Sequence, residues 1–191
     1  MNPPAVAAVF AVGVLVLVVG FVLVTTYNAI VALRQRSDKA WSNIDVMLKQ
    51  RHDQLPNLVA AVRGLMSYEQ GVLTRVTEAR AAYSPTAPIP AQAATSEETT
   101  AAVRSLFAVV ERYPELRSAE NVRDLQSQIE RLEDMIADRR ELYNDQIYRY
   151  NTRIDQVPGA LIAPVFGWQP REFFTADDEE RARPDADLRT M

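Results

Sequence analysis

Residues 5–24 read AVAAVFAVGVLVLVVGFVLV, twenty positions without one charged or strongly polar side chain. At about 1.5 Å of rise per residue this is roughly 30 Å of helix, the thickness of a bilayer's hydrocarbon core. Fourteen of the twenty are Val, Leu or Phe. Each favours insertion by roughly 0.3–0.6 kcal/mol at a helix centre, so together they contribute several kcal/mol. A chain that starts this way folds around a membrane anchor at residues 5–26, preceded by a short extracytoplasmic N-terminus at residues 1–4.

A removable secretory signal has a basic start, a shorter apolar run and a small-residue cleavage site. Met1-Asn2-Pro3-Pro4 carries no basic side chain, and Val24-Thr25-Thr26-Tyr27 matches the cleavage pattern poorly. The segment therefore reads as a retained anchor, with the lipid bilayer as the first partner. Arg34, Arg36 and Lys39 follow the span and no basic side chain precedes it. The positive-inside rule then puts the N-terminus outside and the rest of the chain in the cytoplasm of a single-pass protein of the cell membrane. Gly13 and Gly20 lie seven apart but form no G-x-x-x-G, which leaves them as ordinary lipid-facing residues.

The remaining length suffices for one domain with its own core. The chain has no cysteine, which removes disulfides, thiol nucleophiles and Cys-ligated zinc. Its 21 basic and 25 acidic side chains are well mixed, so no basic surface for nucleic acid is formed.

From Tyr27 to Tyr83 the pattern is helical. Trp41, Ile44, Leu48, Arg51, Leu55, Leu58, Val62, Leu65, Glu69, Val72, Val76, Ala79 and Tyr83 recur at steps of three and four, the spacing of a packed seam. Pro56 sits inside this pattern and predicts a kink or break near Gln54-Leu55. Ser84 to Ala94 holds three prolines and no charge, and reads as an exposed connector. Thr95, with Glu98 three residues on, forms a capping-box pattern that predicts a helix start there. That helix stops before Pro114. A further helix spans roughly Ala119 to Gln156, with its seam at Val122, Leu125, Ile129, Leu132, Ile136, Tyr143, Ile147, Tyr150 and Ile154, and Arg139 at one seam position. Pro158-Gly159 ends it, and a short helix interrupted at Pro164 is expected over Ala160–Phe166. From residue 175 to 191 the chain is charged, lacks aromatics and reads as a disordered acidic tail. The expected fold is all-α: a transmembrane helix followed, over residues 27–174, by an antiparallel three- or four-helix bundle with long helices.

Several stretches carry a family resemblance. Tyr27-Asn28-x-x-Val31-x-Leu33-Arg34, AWSNIDVMLKQRHDQLPNLV from Ala40 to Val59, Tyr113-Pro114-Glu115-Leu116, Tyr143-Asn144, Tyr150-Asn151 and FGWQPREFF from Phe166 to Phe174 together resemble the LemA family. The resemblance covers roughly residues 25–174. It implies a bacterial, membrane-anchored, all-helical bundle with its N-terminus out and C-terminus in, and it brings no established catalytic residues. It also implies company: genes for membrane peptidases or a small membrane-associated protein often lie near, and one branch is linked to magnetosome membranes. The proline-rich connector and acidic tail depart from the family pattern.

The residues themselves offer little chemistry. His52 is the sole histidine, so neither a metal site nor a hydrolytic triad has its partners. Glu130, Glu133 and Asp134 lack the Glu-x-x-His pattern of di-iron bundles and read as a solvated face. No phosphate loop or nucleophile elbow is present. No catalytic residue, cofactor or metal is expected. The polar seam positions are more informative. Arg51, Glu69 and Arg139 each need a partner or an escape to solvent, and one reading pairs Glu69 with Arg139 across the bundle. Asn28, Asn43, Asn57, Asn144 and Asn151 read either as a helix-to-helix amide ladder or as a groove for a peptide. Trp41 sits either at lipid headgroups or against a neighbouring helix. With Asp45, Pro56, Tyr143 and Tyr150, these are the candidate structural or interaction residues. The function they suggest is a scaffold or adaptor at the cell envelope, bound to a membrane protein such as a peptidase or to its own copies. A transmembrane signalling module is the alternative, and an enzyme the third.

Overall fold

The computed structural model describes residues 3–64 and 70–175. Its regular structure is helical: α1 (Pro3–Arg63), α2 (Gln70–Ala81), α3 (Ile89–Arg112), α4 (Pro114–Ser118), α5 (Glu120–Asp155) and α6 (Gly159–Ile162). No strand occurs among the described residues. The chain divides into two compact units. One comprises Met1–Lys39 with Asp145–Arg171, the other Ala40–Asn144 with Glu172–Met191. Helices α1 and α5 each contribute to both.

In the first unit α1 carries one stretch long and apolar enough to cross a membrane, and none of that stretch is buried in protein. Past it, Ile30 packs with Tyr150, Ile154 and Ala163, flanked by Leu33 and Trp168. After α5 the chain turns sharply. Gly159 is buried, and a Cβ there would collide with the Arg153 carbonyl, so only glycine permits this approach. Helix α6 occupies Gly159–Ile162 and stops short of Pro164, where the interruption is expected, because proline has no backbone donor to carry it on. Gly167 takes a positive φ of 64°, and the Trp168 amide closes the turn on the Ala163 carbonyl.

In the second unit four long segments share one core. Leu55, Leu58 and Val62 of α1 meet Val72 and Val76 of α2, Val103, Leu106 and Val110 of α3, and Val122 and Ile129 of α5, with Leu116 of α4 closing one end. Side-chain pairs fix the directions. His52 meets Arg80 and Asp45 meets Tyr83, so α1 and α2 run antiparallel. Thr100 meets Glu133 and Glu97 meets Arg140, so α3 and α5 do too. The bundle expected from the sequence is present in its four-helix form.

Four local expectations are corrected. Of the kink or break expected at Pro56, the break does not occur: helix α1 continues through Pro56 to Arg63. Proline leaves the carbonyl four residues back, that of His52, without its helical donor. The Arg80 guanidinium supplies the missing hydrogen bond, Nε to the His52 oxygen at 3.1 Å, so the helix continues. The seam therefore does not continue as one helix to Tyr83. It ends at Arg63 and resumes in α2 with reversed direction, the intervening residues 65–69 lying outside the described residues. Helix α3 starts at Ile89, six residues before Thr95, so Thr95 is no cap and its carbonyl accepts from Thr99 within the helix. Pro90 is tolerated because the first-turn N–H groups have no helical acceptor to lose. The buried Gln92 side chain donates to the Ala87 and Pro85 carbonyls and secures the turn that precedes α3. Thr175, the first residue of the expected tail, is buried; residues 176–191 lie outside the described residues.

Candidate functional site

The second unit holds a charged centre. Arg51 lies on the seam of α1, one of the positions where the pattern asks for an apolar residue, and only 3% of it is exposed. An unpaired guanidinium at that depth is too costly to persist. Its Nη1 donates to both carboxylate oxygens of Glu133, at 2.9 and 3.1 Å, and to Thr100 Oγ1 at 3.1 Å. Its Nη2 donates to the Ser96 hydroxyl at 2.9 Å and the Ser96 carbonyl at 3.3 Å. The Thr100 hydroxyl lies 2.6 Å from Glu133 Oε2 and donates to it. One side chain of α1 thus ties α3 and α5 at fixed register, its two terminal nitrogens, both hydroxyls and the carboxylate all engaged in charge-assisted bonds.

The partner of Arg51 is Glu133, a residue that the sequence assigns to a solvated face. Glu133 does not belong to a solvated face: its side chain is 18% exposed and faces Arg51, while Glu130 and Asp134 remain exposed. Arg139 is exposed and occupies no seam position. The seam steps over it, from Ile136 directly to Tyr143, both buried, and the neighbouring Arg140 reaches Glu97 at 2.9 Å. Glu69 lies outside the described residues, and so does its pairing with Arg139. A period of three or four leaves the phase at each polar position open by one residue, which is why spacing alone puts Arg139 on the seam and leaves Glu133 off it.

Further along α1 in the same unit, Asp45 accepts from Lys49 at 2.6 Å and from the Tyr83 hydroxyl at 3.4 Å. Burial and the adjacent Asp45 carboxylate push the Tyr83 phenol up to about 12, because both oppose a phenolate. His52 lies against Tyr83, with ring centroids 5.2 Å apart. Pro56 lines a small apolar cleft with Leu55, Val59 and Val76. Asn43 and Asn57 are exposed, as is Asn28 in the first unit.

The two Tyr-Asn dipeptides hold the chain that comes after α6. In the first unit Asn151 forms a reciprocal pair with the backbone of Arg171, Nδ2 to the carbonyl at 3.0 Å and amide to Oδ1 at 2.9 Å. The Arg171 guanidinium lies 5.4 Å from the centre of the Tyr150 ring and binds Asp38 at 2.6 Å. Burial raises the Tyr150 phenol above its ordinary value. In the second unit Asn144 pairs in the same way with Phe174, its Oδ1 accepting from the Phe174 amide at 2.8 Å and its Nδ2 donating to the Phe174 carbonyl at 3.4 Å. Tyr143 donates to the Glu172 carbonyl at 3.0 Å. Trp41 packs against the rings of Tyr143 and Phe174, at 5.6 and 5.8 Å. The helix-to-helix amide ladder is therefore not what these residues form. Asn144 and Asn151 each saturate one residue of non-helical backbone, whose N–H and C=O have no helical partner of their own. The FGWQPREFF motif is that segment.

Among the described residues no three His, Cys, Asp or Glu side chains cluster closely enough to hold a metal ion. Against known proteins, the chain is similar to magnetosome proteins MamQ 1 and MamQ 2 of Paramagnetospirillum magneticum, 36% identical over 73 residues. It is also similar to magnetosome protein MamQ of Magnetospirillum gryphiswaldense, 33% identical over the same length. Each match covers 38% of this chain and 27% of the relative, so the chain spans about a quarter of the length of these curated relatives. Neither these names nor the family description is that of an enzyme. The family model described as LemA family matches residues 40–187, and this chain belongs to the LemA family.

Proposed function

We propose that this protein is a membrane-anchored scaffold or adaptor that works by protein–protein contact from the cytoplasmic face of the cell membrane. The observation that carries this reading is the exposed apolar surface of α1. Phe10, Leu15, Leu17, Phe21 and their Val neighbours stand open along the whole segment, and Arg34 and Arg36 come after it, also exposed. Lipid is the environment in which such a surface is stable, and the basic residues favour the cytoplasmic side. The bundle beyond is solidly packed and its buried charges are spent on one another, which suits a rigid contact surface. The expected partner is a membrane protein of the envelope, a membrane peptidase among them, or a second copy of this chain.

Two measurements test the reading. A reporter fused after Arg189 is expected to be active only in the cytoplasm, and periplasmic activity overturns the orientation. Photo-crosslinkers at the exposed Asn43 and Asn57 are expected to capture a discrete membrane protein or a second copy. Absence of any discrete adduct in native membranes overturns the scaffold. The continuity of α1, one helix from Pro3 to Arg63, supports a second reading as a signalling module. Single alanines inserted after Thr26 rotate the remainder of the helix against the span by about 100° each. Partner capture that varies with that phase favours signalling, and capture indifferent to it favours the scaffold.

A further inference from the structure

Residues 157–168, VPGALIAPVFGW, contain no charged side chain. They form the turn after α5, helix α6 and the return to Trp168, all within the first unit. Their larger apolar side chains are largely turned outward. Val157 is 76%, Leu161 69% and Val165 77% exposed, and Phe166 is exposed as well. Leu161, Val165 and Phe166 form a groove of about 490 Å³ with Leu23 and Val24, the last two residues of the apolar run, and with Tyr27, the first residue past the anchor segment 5–26. Tyr27, Phe166 and Trp168 form a cluster of rings at 4.9–5.3 Å.

We propose that this turn is a second, non-spanning membrane contact: an apolar wedge that enters the headgroup–acyl boundary beside the end of the span and takes the bilayer itself as its ligand. Three observations converge on lipid as the occupant. First, Phe166 and Trp168 pack on Tyr27 and the groove opens onto Leu23 and Val24, so once the span is inserted the turn stands at the depth where the span ends. Second, aromatic rings of the Tyr and Trp type favour that level, with an apolar body in lipid and a polar tip in water. Third, non-helical backbone tolerates such depth only when its N–H groups are satisfied within the protein. Here the amides of Ala160, Leu161, Ala163, Val165, Phe166, Gly167 and Trp168 all donate to nearby backbone carbonyls of the same unit, and Pro158 and Pro164 carry no donor. Charges resume on both sides, at Arg153 and Asp155 before the wedge and Arg171 after it, which limits insertion to a few ångströms, on the order of 5–10 Å.

The inference rests on the proposed anchor, and the test separates the two. The cysteine-free chain accepts Val165→Cys at an exposed position, labelled with the environment-sensitive fluorophore NBD. The full chain is reconstituted into phosphatidylcholine–phosphatidylglycerol vesicles and recovered by flotation. The expected result is a blue shift, emission raised about two-fold or more, quenching by lipids brominated near the glycerol end, and protection from iodide, as for a probe in the interface. Trp168 emission in a Trp41→Phe background gives the same readout without a label, and Leu161→Glu with Val165→Glu is expected to shift it to the red while flotation persists. Chain that floats while the probe stays iodide-accessible and water-like overturns the wedge and leaves the anchor standing. A probe shielded from iodide but untouched by brominated lipid means that protein covers the turn, and also overturns it. Chain that does not float at all overturns the anchor and the wedge together.

Discussion

Helix α1 obeys opposite rules in its two parts. In the first unit its large apolar side chains are exposed over turn after turn; in the second unit apolar side chains are buried and so is one arginine. The same backbone accommodates both because the surroundings differ. Along residues 6–24 every residue of the helix is exposed, and the apolar surface is stable only if the medium is itself apolar. Around Arg51 the medium is protein, and the charge is stable only because Glu133, Thr100 and Ser96 replace the water it lost. Exposure of apolar groups and burial of a charged one are each anomalous in isolation. Together they show that the sign of a burial argument depends on what lies on the other side of the surface.

The comparison is most easily broken at the span. Leu15→Arg with Val16→Arg is expected to cost insertion roughly 5–7 kcal/mol, at about 2.5–3.5 kcal/mol per arginine near a helix centre. The protein is expected to leave the floating vesicle fraction, and retention there would mean that lipid is not the medium of residues 6–24. At the buried charge, Arg51→Ala strands the Glu133 carboxylate and is expected to lower stability by about 3–5 kcal/mol, read from urea unfolding of the full chain in micelles. Arg51→Met combined with Glu133→Leu removes both charges and is expected to recover most of that loss. A double variant as unstable as the single one would sink the account of a mutually satisfied pair.

Smaller effects sharpen the contrast between packed and clamped regions. Asn144→Ala leaves the amide and carbonyl of Phe174 without partners and is expected to cost about 1–3 kcal/mol. Its signature is faster hydrogen exchange at the Phe174 amide with the helical amides of the core unchanged; uniform acceleration would instead mark Asn144 as part of the global fold. The smallest effect is a titration. Tyr83 binds its proton more tightly folded than unfolded, so its contribution to stability is complete below about pH 10 and is lost as pH rises through about 12. Absorbance at the phenolate band is expected to show one tyrosine ionising near pH 12 that is absent from Tyr83→Phe, and Asp45→Asn is expected to lower that midpoint.

Period and composition alone reached the helices, most of the seam and the apolar run, because these depend on local spacing and on side-chain solubility. Ile44, Leu48, Leu55, Leu58 and Val62 are buried as their spacing requires, and α5, Glu120–Asp155, begins and ends within a residue of the expected Ala119 and Gln156. What period cannot supply is a partner distant in sequence. Pro56 reads as a kink or a break because its helical hydrogen bond is missing, and only the approach of Arg80 makes that loss good. Thr95 with Glu98 is a complete local start signal, yet tertiary packing of Ala93 and Gln92 extends α3 to Ile89.

The amino-acid order by itself determined that the chain is helical, that one segment is fit for a bilayer, and that Arg51 must be compensated. Tertiary structure decided by what: Glu133, 82 residues away, and not a neighbour on the same helix. It likewise decided that Asn144 and Asn151 grip the chain's own Phe174 and Arg171 in place of another helix. The reason is physical. Propensity and periodicity act over a turn or two of backbone, whereas the cost of burying a polar atom is settled by whichever group the whole fold brings within hydrogen-bond distance.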